Sequence, residues 1–204
     1  MATVKTAVAN LTLMPFDEIN ELRQSLVYGQ YTDADGKRRY VPAYADMEDE
    51  FEDILIMSYI LGNKAAGEML GIEPEMSVEA MEKAINKKVA GKTWRERLRE
   101  QLDHGGTVED LMRIAETESH RDTNEAIYDV AKSSGLPNIY KTWETMEDNR
   151  VREAHEEIQG QTVPFDDVFV TWDGHEARFP GDFDTAELNV NCRCFISVST
   201  AEAT

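Results

Sequence analysis

One histidine and two cysteines are the side chains of this sequence best suited to chemistry. Cys192 and Cys194 alternate along a predicted strand, so both sulfurs face the same side of it. His155 lies on a predicted helix upstream. Zinc takes four nitrogen, sulfur or oxygen donors at tetrahedral angles, and these residues would supply three of them. Asp148, which shares a helix face with His155, or His175 would be the fourth ligand.

Three other interpretations of the same residues remain open. Structural zinc sites usually place two or more residues between their cysteines, whereas only Arg193 separates this pair, which favours two reduced thiols with His155 bonding locally. A disulfide between residues two apart would be strained. A cysteine, His155 and Asp148 could form a nucleophilic relay, but nothing in the sequence predicts a loop that stabilises an oxyanion. We therefore expect no enzyme, and zinc is the one cofactor that the residues indicate.

The composition is that of a globular protein with a large excess of acid. The 204 residues are 41% hydrophobic and 30% charged, and the net charge is −19. Residues 1–104 contain 13 Lys and Arg against 19 Asp and Glu, whereas residues 105–204 contain 8 against 21. A phosphate backbone repels such a surface, so direct binding to nucleic acid is not expected. We expect Glu116 and Glu118 to be solvated.

The sequence also indicates where the protein resides. Two cysteines are too few for a secreted disulfide framework, and the first residues do not form a signal peptide. The longest apolar stretch, within residues 54–61, is too short to span a bilayer. We therefore expect an intracellular, soluble protein without a membrane contact.

Helical periodicity dominates residues 1–104, after a flexible arm at residues 1–15. One helix is predicted over residues 15–29, a small hairpin turns at residues 33–37, and a long helix covers about residues 46–70. Further helices begin after the N-cap residues Ser77, Thr93 and Thr107.

The long helix carries an apolar face that could bind a partner protein. Its apolar residues recur at three- and four-residue spacing, and helix faces with methionine adapt well to a partner. The same face could instead be buried within the helical part of this protein. The residues are Met47, Phe51, Ile54, Met57 and Leu61.

After Pro137 the pattern changes to short strands, predicted at residues 139–143, 168–170, 177–179 and 194–199, with a short helix over residues 148–158. The fold class is α+β: a helical N-terminal part followed by a small, mainly antiparallel sheet with an inserted short helix. We expect two domains, residues 1–104 and 105–204. The second should fold around the contact between the helix face at residues 148–155 and the strand at residues 192–198.

An ordered set of residues runs through this second domain: Trp143, Asp148, Arg150, Val151, Arg152, His155, Gly160, Phe169, Pro180 and residues 191–194. Residues 114–118, Arg121 and Asn124 precede it on a predicted helix. Over residues 107–198 this set resembles the phage Mu F-like head morphogenesis family, the minor head proteins of tailed bacteriophages. Glu116 stands where the family more often has arginine. We assign a structural role to Trp143, Asp148, Arg152, Gly160, Asn191 and Arg193.

The resemblance implies a minor head protein at the portal vertex that acts in head morphogenesis. Some members of the family also act in DNA packaging or ejection. It would be made in the host cytoplasm and reside in the virion, with the portal protein and other head proteins as partners. The N-terminal helices are expected to make the portal contact. The alternative is an enzyme or toxin-associated module with a His/Cys metal site, since similar domains occur in bacterial polymorphic toxins. The chain ends six residues after Val198, which favours the head protein.

Overall fold

The computed structural model describes residues 14–41 and 44–200, so most of the predicted N-terminal arm lies outside the described residues. Five helices precede the main sheet: α1 Phe16–Gly29, α2 Tyr44–Leu70, α3 Val78–Ile85, α4 Trp94–His104 and α5 Val108–Ser133. Two short helices follow, α6 Glu153–Glu156 and α7 Ala186–Asn189. The strands are β1 Gln30–Thr32, β2 Arg38–Tyr40, β3 Tyr140–Glu144, β4 Thr162–Pro164, β5 Phe169–Val170, β6 Glu176–Ala177 and β7 Phe195–Ser199.

The predicted helix starts are confirmed by their caps. The side chains of Thr93 and Thr107 each accept a hydrogen bond from the backbone N–H three residues later. The carboxylates of Glu96 and Asp110 accept hydrogen bonds from the backbone N–H groups of Thr93 and Thr107, which completes two capping boxes. Ser77 caps α3 in the same manner through the backbone of Ala80. Local sequence therefore sets the beginnings of three helices.

The strands form three separate antiparallel sheets. β1 pairs with β2 in a hairpin, β5 pairs with β6, and the main sheet has the order β4-β3-β7. In the main sheet Trp143 lies opposite Ile196, and Lys141 lies opposite both Val163 and Val198. The α+β fold class is confirmed. None of the helices in the described ranges combines the length and the apolar content that a bilayer span requires.

Buried apolar side chains gather in two main cores, and α2 and α5 contribute to both. The first core is helical and contains Ile19, Leu22, Leu26, Tyr40, Met47, Phe51, Ile54, Leu55, Ile85, Trp94, Leu98, Leu102, Val108, Leu111, Met112 and Ala115. The second core lies under the sheets and contains Ala66, Ile127, Tyr128, Val130, Ala131, Trp143, Ile158, Phe169, Ala177, Phe179, Phe183, Leu188, Cys192, Cys194, Ile196 and Val198. Each core takes residues from both sides of the predicted boundary at residue 104.

The two long helices approach closely where they cross between the cores. A Cβ atom at Gly62 would lie 2.2 Å from the carbonyl oxygen of Thr123 and 2.9 Å from Cβ of Ala126. Only glycine permits this approach. The Thr123 hydroxyl also donates a 3.2 Å hydrogen bond to the carbonyl of Ser58 on α2. The helix pair is therefore a fixed frame for both cores.

The predicted partner surface on α2 is wrong for three of its five residues, because Met47, Phe51 and Ile54 belong to the first core. Met47, Phe51 and Ile54 are only 1%, 1% and 3% exposed, and Met57 and Leu61 are half-buried. The Phe51 ring stacks on Trp94 of α4 with 6.1 Å between ring centroids. The alternative, burial within the helical part, holds for these three residues.

The predicted helix over residues 148–158 is also too long, since α6 is a single turn. The Asp148 carboxylate accepts a 3.0 Å hydrogen bond from the backbone N–H of Arg150, which closes a side-chain turn that competes with helix. Glu147 before it has a positive φ of 53°. Arg152 occupies the N-cap position of α6, so Asp148 lies in the preceding loop rather than on a helix face with His155.

Candidate metal centre

The histidine and both cysteines converge beneath the main sheet. Nδ1 of His155 lies 3.4 Å from Sγ of Cys194 and 3.6 Å from Sγ of Cys192. All three ligand atoms lie within 4.8 Å of one another, and the residues are 1%, 3% and 4% exposed respectively. Zinc–nitrogen and zinc–sulfur bonds at tetrahedral angles separate nitrogen from sulfur by about 3.5 Å. The predicted three donors therefore have spacings that suit one ion.

Helix α5 holds the cysteine segment in place through side chains that bind backbone. The Asn124 amide nitrogen donates a 3.2 Å hydrogen bond to the carbonyl of Cys194, and its oxygen accepts a 2.9 Å bond from the backbone N–H of Ile196. Nε2 of His120 also hydrogen-bonds the carbonyl of Cys194. Sequence reasoning missed His120, whose signal was its place four residues before Asn124 on one helix face.

An aromatic enclosure orients His155. Its ring stacks on Phe183 at 5.5 Å between centroids and meets the Trp143 ring edge-on at 5.3 Å. Nε2 is buried and has no hydrogen-bond partner among the described residues. The side chain therefore directs its polar contacts to the two sulfurs.

The two thiols do not ionise alike. The hydrogen bond from Cys194 holds the pKa of the Cys192 thiol well below its ordinary value, with burial opposing and His155 adding to the effect. The bond to Cys192, together with burial, raises the pKa of Cys194. Cys192 is therefore the thiol of the pair that ionises more readily, and the thiolate is the form of cysteine that binds metals.

The two predicted fourth ligands lie outside this group. The Asp148 carboxylate accepts hydrogen bonds of 2.5 and 2.9 Å from the Arg193 guanidinium, which lower the pKa of the carboxyl to about 2. Nδ1 of His175 lies 3.0 Å from a carboxylate oxygen of Asp184, beside the β5–β6 hairpin. Each group therefore has a partner elsewhere.

A small cavity instead opens beside two of the three donors, His155 and Cys194. Its volume is about 10 Å³, close to what one water needs. His155 and Cys194 form part of its wall, and the remaining lining residues are Met146, Arg150, Val151, Arg152, Asn191 and Arg193.

Other residues of the ordered set that resembles the family hold the loops around this centre. The guanidinium of Arg152 donates to the carbonyl of Val190, and the backbone N–H of Asn191, at a φ of 57°, donates to the Thr117 hydroxyl over 3.2 Å. Gly160 has a φ of 72°, and its N–H donates to the carbonyl of Trp143 over 2.8 Å. The predicted contact between residues 148–155 and residues 192–198 is present in the Asp148–Arg193 and His155–Cys194 pairs, but residues 148–152 form a loop and both cysteines precede β7.

A buried polar segment of α5 lies beside the centre. Residues 118–124 are all buried, so the expectation that Glu118 is solvated is wrong. The Arg121 guanidinium contacts Glu118 at 3.0 Å, Asp122 at 2.6 Å and Glu125 at 2.9 Å, and donates to the carbonyl of Ala84. Burial raises the pKa of Asp122 to about 8 despite Arg121 beside it. Sequence reasoning missed this charge cluster.

Glu116 is half-exposed, and its carboxylate lies 2.9 Å from the Arg23 guanidinium on α1. The glutamate at this position is therefore used in a contact between helices.

Comparison with known proteins identifies relatives of the region that holds this centre. Residues 77–197, more than half of the chain, match the family model described as Phage Mu protein F like protein. An NAD(+)–arginine ADP-ribosyltransferase, EFV, of Enterococcus faecalis (strain ATCC 700802 / V583) is 41% identical over 86 residues. That match covers 41% of this chain and 17% of the relative, so the chain spans about a sixth of that protein's length. No solved structure matches.

Proposed function

The chain belongs to the Phage Mu protein F like family, and from this premise we propose that it is a minor head protein of a tailed phage that acts at the portal vertex. Membership supports a phage head-related protein and a virion component with other phage proteins as partners. The role at the portal, in head assembly and in DNA packaging or ejection, is the finer part of the proposal. The family match is the observation that carries it.

The charge of the protein supports attachment through another protein rather than through DNA. A net charge of −19 opposes contact with phosphate backbones. A minor component with this charge is therefore placed in a particle by protein contacts. The portal is the partner that the family resemblance implies.

The C-terminal end of α1 and the β1–β2 hairpin offer an exposed apolar surface for that contact, whereas the predicted face of α2 is largely buried. The β1–β2 register puts Tyr40 opposite Gln30, and Tyr40 turns inward, so the neighbouring positions turn outward. Tyr28 is 86% exposed at the end of α1. The surface, here called the hairpin surface, consists of Val27, Tyr28, Tyr31 and Val41.

We further propose that the protein acts without catalysis. Both thiols are almost fully buried, and the signature side chains Arg152 and Arg193 are engaged within the fold. The similarity to an ADP-ribosyltransferase favours a second candidate, a toxin-associated module, but that match covers only 17% of the relative. NAD⁺-dependent labelling of arginine substrates by the full chain would favour this second candidate.

Co-expression of the full chain with the portal protein tests the proposed role. We expect the wild-type chain to copurify with portal rings, and the Tyr28→Ser/Tyr31→Ser variant to lose most of this binding. The matched control is Val78→Ser, which alters an exposed apolar residue of α3 and should bind like the wild type. Absence of wild-type binding would contradict the portal role. Equal binding by the tyrosine variant would move the contact away from the hairpin surface.

A further inference from the structure

We propose that His155, Cys192 and Cys194 bind one zinc ion that stabilises the local fold, with a water molecule as the fourth ligand. The ion would join the single-turn helix α6 to the segment that leads into β7. This proposal rests on the geometry of the three side chains and does not depend on a role in the phage head.

The donor set selects the type of metal. Two cysteine thiolates and one imidazole nitrogen form a donor set that suits zinc, whereas calcium and magnesium require oxygen ligands. The nitrogen–sulfur distances of 3.4 and 3.6 Å are close to the value of about 3.5 Å expected across a tetrahedral zinc ion.

The charges around the centre also suit a divalent cation. Zinc binds cysteine as the thiolate, and the ion would balance the charge that two buried thiolates carry in that bound state. The nearest guanidinium groups are already committed, since Arg193 binds the Asp148 carboxylate and Arg152 binds the carbonyl of Val190. These arginines therefore do not replace the cation.

The cavity supplies the position of the fourth ligand. It borders both His155 and Cys194 and has room for about one water. Because Asp148 pairs with Arg193 and His175 pairs with Asp184, we assign the fourth position to a water molecule rather than to either predicted ligand.

The local fold explains why an ion would be useful at this point. Helix α6 has four residues, and a helix this short does not form without tertiary contacts. His155 is the buried residue of that turn, so its bond to a metal would hold the turn against the cysteine segment. Removal of the metal should therefore loosen α6 and β7 together.

Metal analysis of the full chain, purified under reducing conditions without chelator, tests this proposal. We expect about one equivalent of zinc in the wild type and less than about 0.2 equivalents in Cys192→Ser, Cys194→Ser and His155→Gln. The matched control is His175→Gln, which should retain the ion. A wild type with less than about 0.2 equivalents of any transition metal, or an intact mass that shows a disulfide, would overturn the proposal.

A second measurement remains informative if the ligand variants fail to fold. Cobalt(II) added to chelator-treated wild-type protein should give the intense visible bands of a tetrahedral thiolate site. A chelator should also lower the melting temperature of the zinc-loaded wild type. Cobalt spectra of an octahedral, sulfur-free ion, or a melting temperature that a chelator leaves unchanged, would contradict a structural site at these residues.

Discussion

The first core and the second core are stabilised by different kinds of contact. The first core joins helices through apolar side chains, and its helices satisfy most of their own backbone groups. The second core lies under strands of two to five residues and long loops, which leave many backbone groups without a regular partner. Polar side chains fill that need: Asn189, for example, accepts from the N–H of Phe183 and donates to its carbonyl.

This difference shows what each region requires from its sequence. Helical regions need an apolar stripe and good caps, because the backbone pairs with itself. A region of short strands needs individual polar side chains at defined positions, because a buried backbone group without a partner costs free energy. The cluster of His155 and the two cysteines belongs to this second kind of region. The predictions below test the contrast between apolar stripes and individual polar contacts.

Arg121→Met should have the largest effect. The guanidinium contacts three acidic side chains in a buried site, so its removal leaves Glu118, Asp122 and Glu125 without their shared cation. We expect the free energy of unfolding to fall by about 3–5 kcal/mol, measured by urea denaturation. The matched control is Arg113→Met on the same helix, whose exposed pair with Asp110 should contribute no more than about 1 kcal/mol. Equal losses for both variants would show that the buried charges are dispensable.

Lys141→Met should change the free energy of unfolding by an intermediate amount, and it should stabilise the protein, whereas Arg121→Met destabilises it. Nζ of Lys141 is buried without a hydrogen-bond partner among the described residues and lies 5.2–5.6 Å from the ring centroids of Tyr128, Phe165 and Phe169. Burial, together with the charge of Arg178, lowers the pKa of this lysine to about 8. Keeping the group protonated therefore costs stability at pH 7, and we expect the variant to be about 1–3 kcal/mol more stable there.

The pH dependence gives the sign of this effect an independent check. The unfolded chain keeps the Lys141 proton up to a pH of about 10.5, whereas the folded chain releases it near a pH of about 8. Between these values the unfolded state binds more protons, so wild-type stability should rise with pH relative to Lys141→Met. Lys132→Met, at an exposed position of α5, is the control and should leave the pH profile unchanged. A constant difference between wild type and Lys141→Met across this range would contradict the prediction.

Asp148→Asn should have the smallest effect, because the ion pair with Arg193 is partly exposed on both sides. The hydrogen bonds from Arg193 lower the pKa of the carboxyl to about 2, below the usual value of about 3.9 in an unfolded chain. The unfolded state therefore binds its proton first as the pH falls, and the stabilisation is lost between about pH 4 and pH 2.

Thermal melts at several pH values test this sign. The wild type should melt above Asp148→Asn at pH 5, and the difference should shrink as the pH approaches 2. Asp35→Asn, in the exposed turn between β1 and β2, serves as a control. A difference that grows on acidification would disprove the role assigned to the Arg193 pair.

Much of the helical part could be predicted from the sequence because its signals are local. The capping boxes at Thr93 and Thr107 act over three residues, and helical periodicity acts over three or four. The hairpin at residues 33–37, strands β3 and β7 of the main sheet and the α+β class follow from similar short-range patterns.

The partner surface and the inserted helix could not be predicted as readily. Periodicity identified the apolar face of α2, but whether other elements of the same chain cover that face depends on the tertiary arrangement. The side-chain turn of Asp148 ended the predicted helix early, since a local hydrogen bond competed with helical pairing.

The sequence by itself determined which residues of the candidate centre could act as donors, because residue type settles that question. Only the tertiary structure decided that His155 meets both sulfurs, while Asp148 and His175 bind elsewhere. It also decided that Asn124 and His120 hold Cys194 from positions at least 70 residues away. The physical reason is that ligand geometry depends on contacts between distant segments, which close only when the whole chain packs, and no short-range pattern encodes their distances.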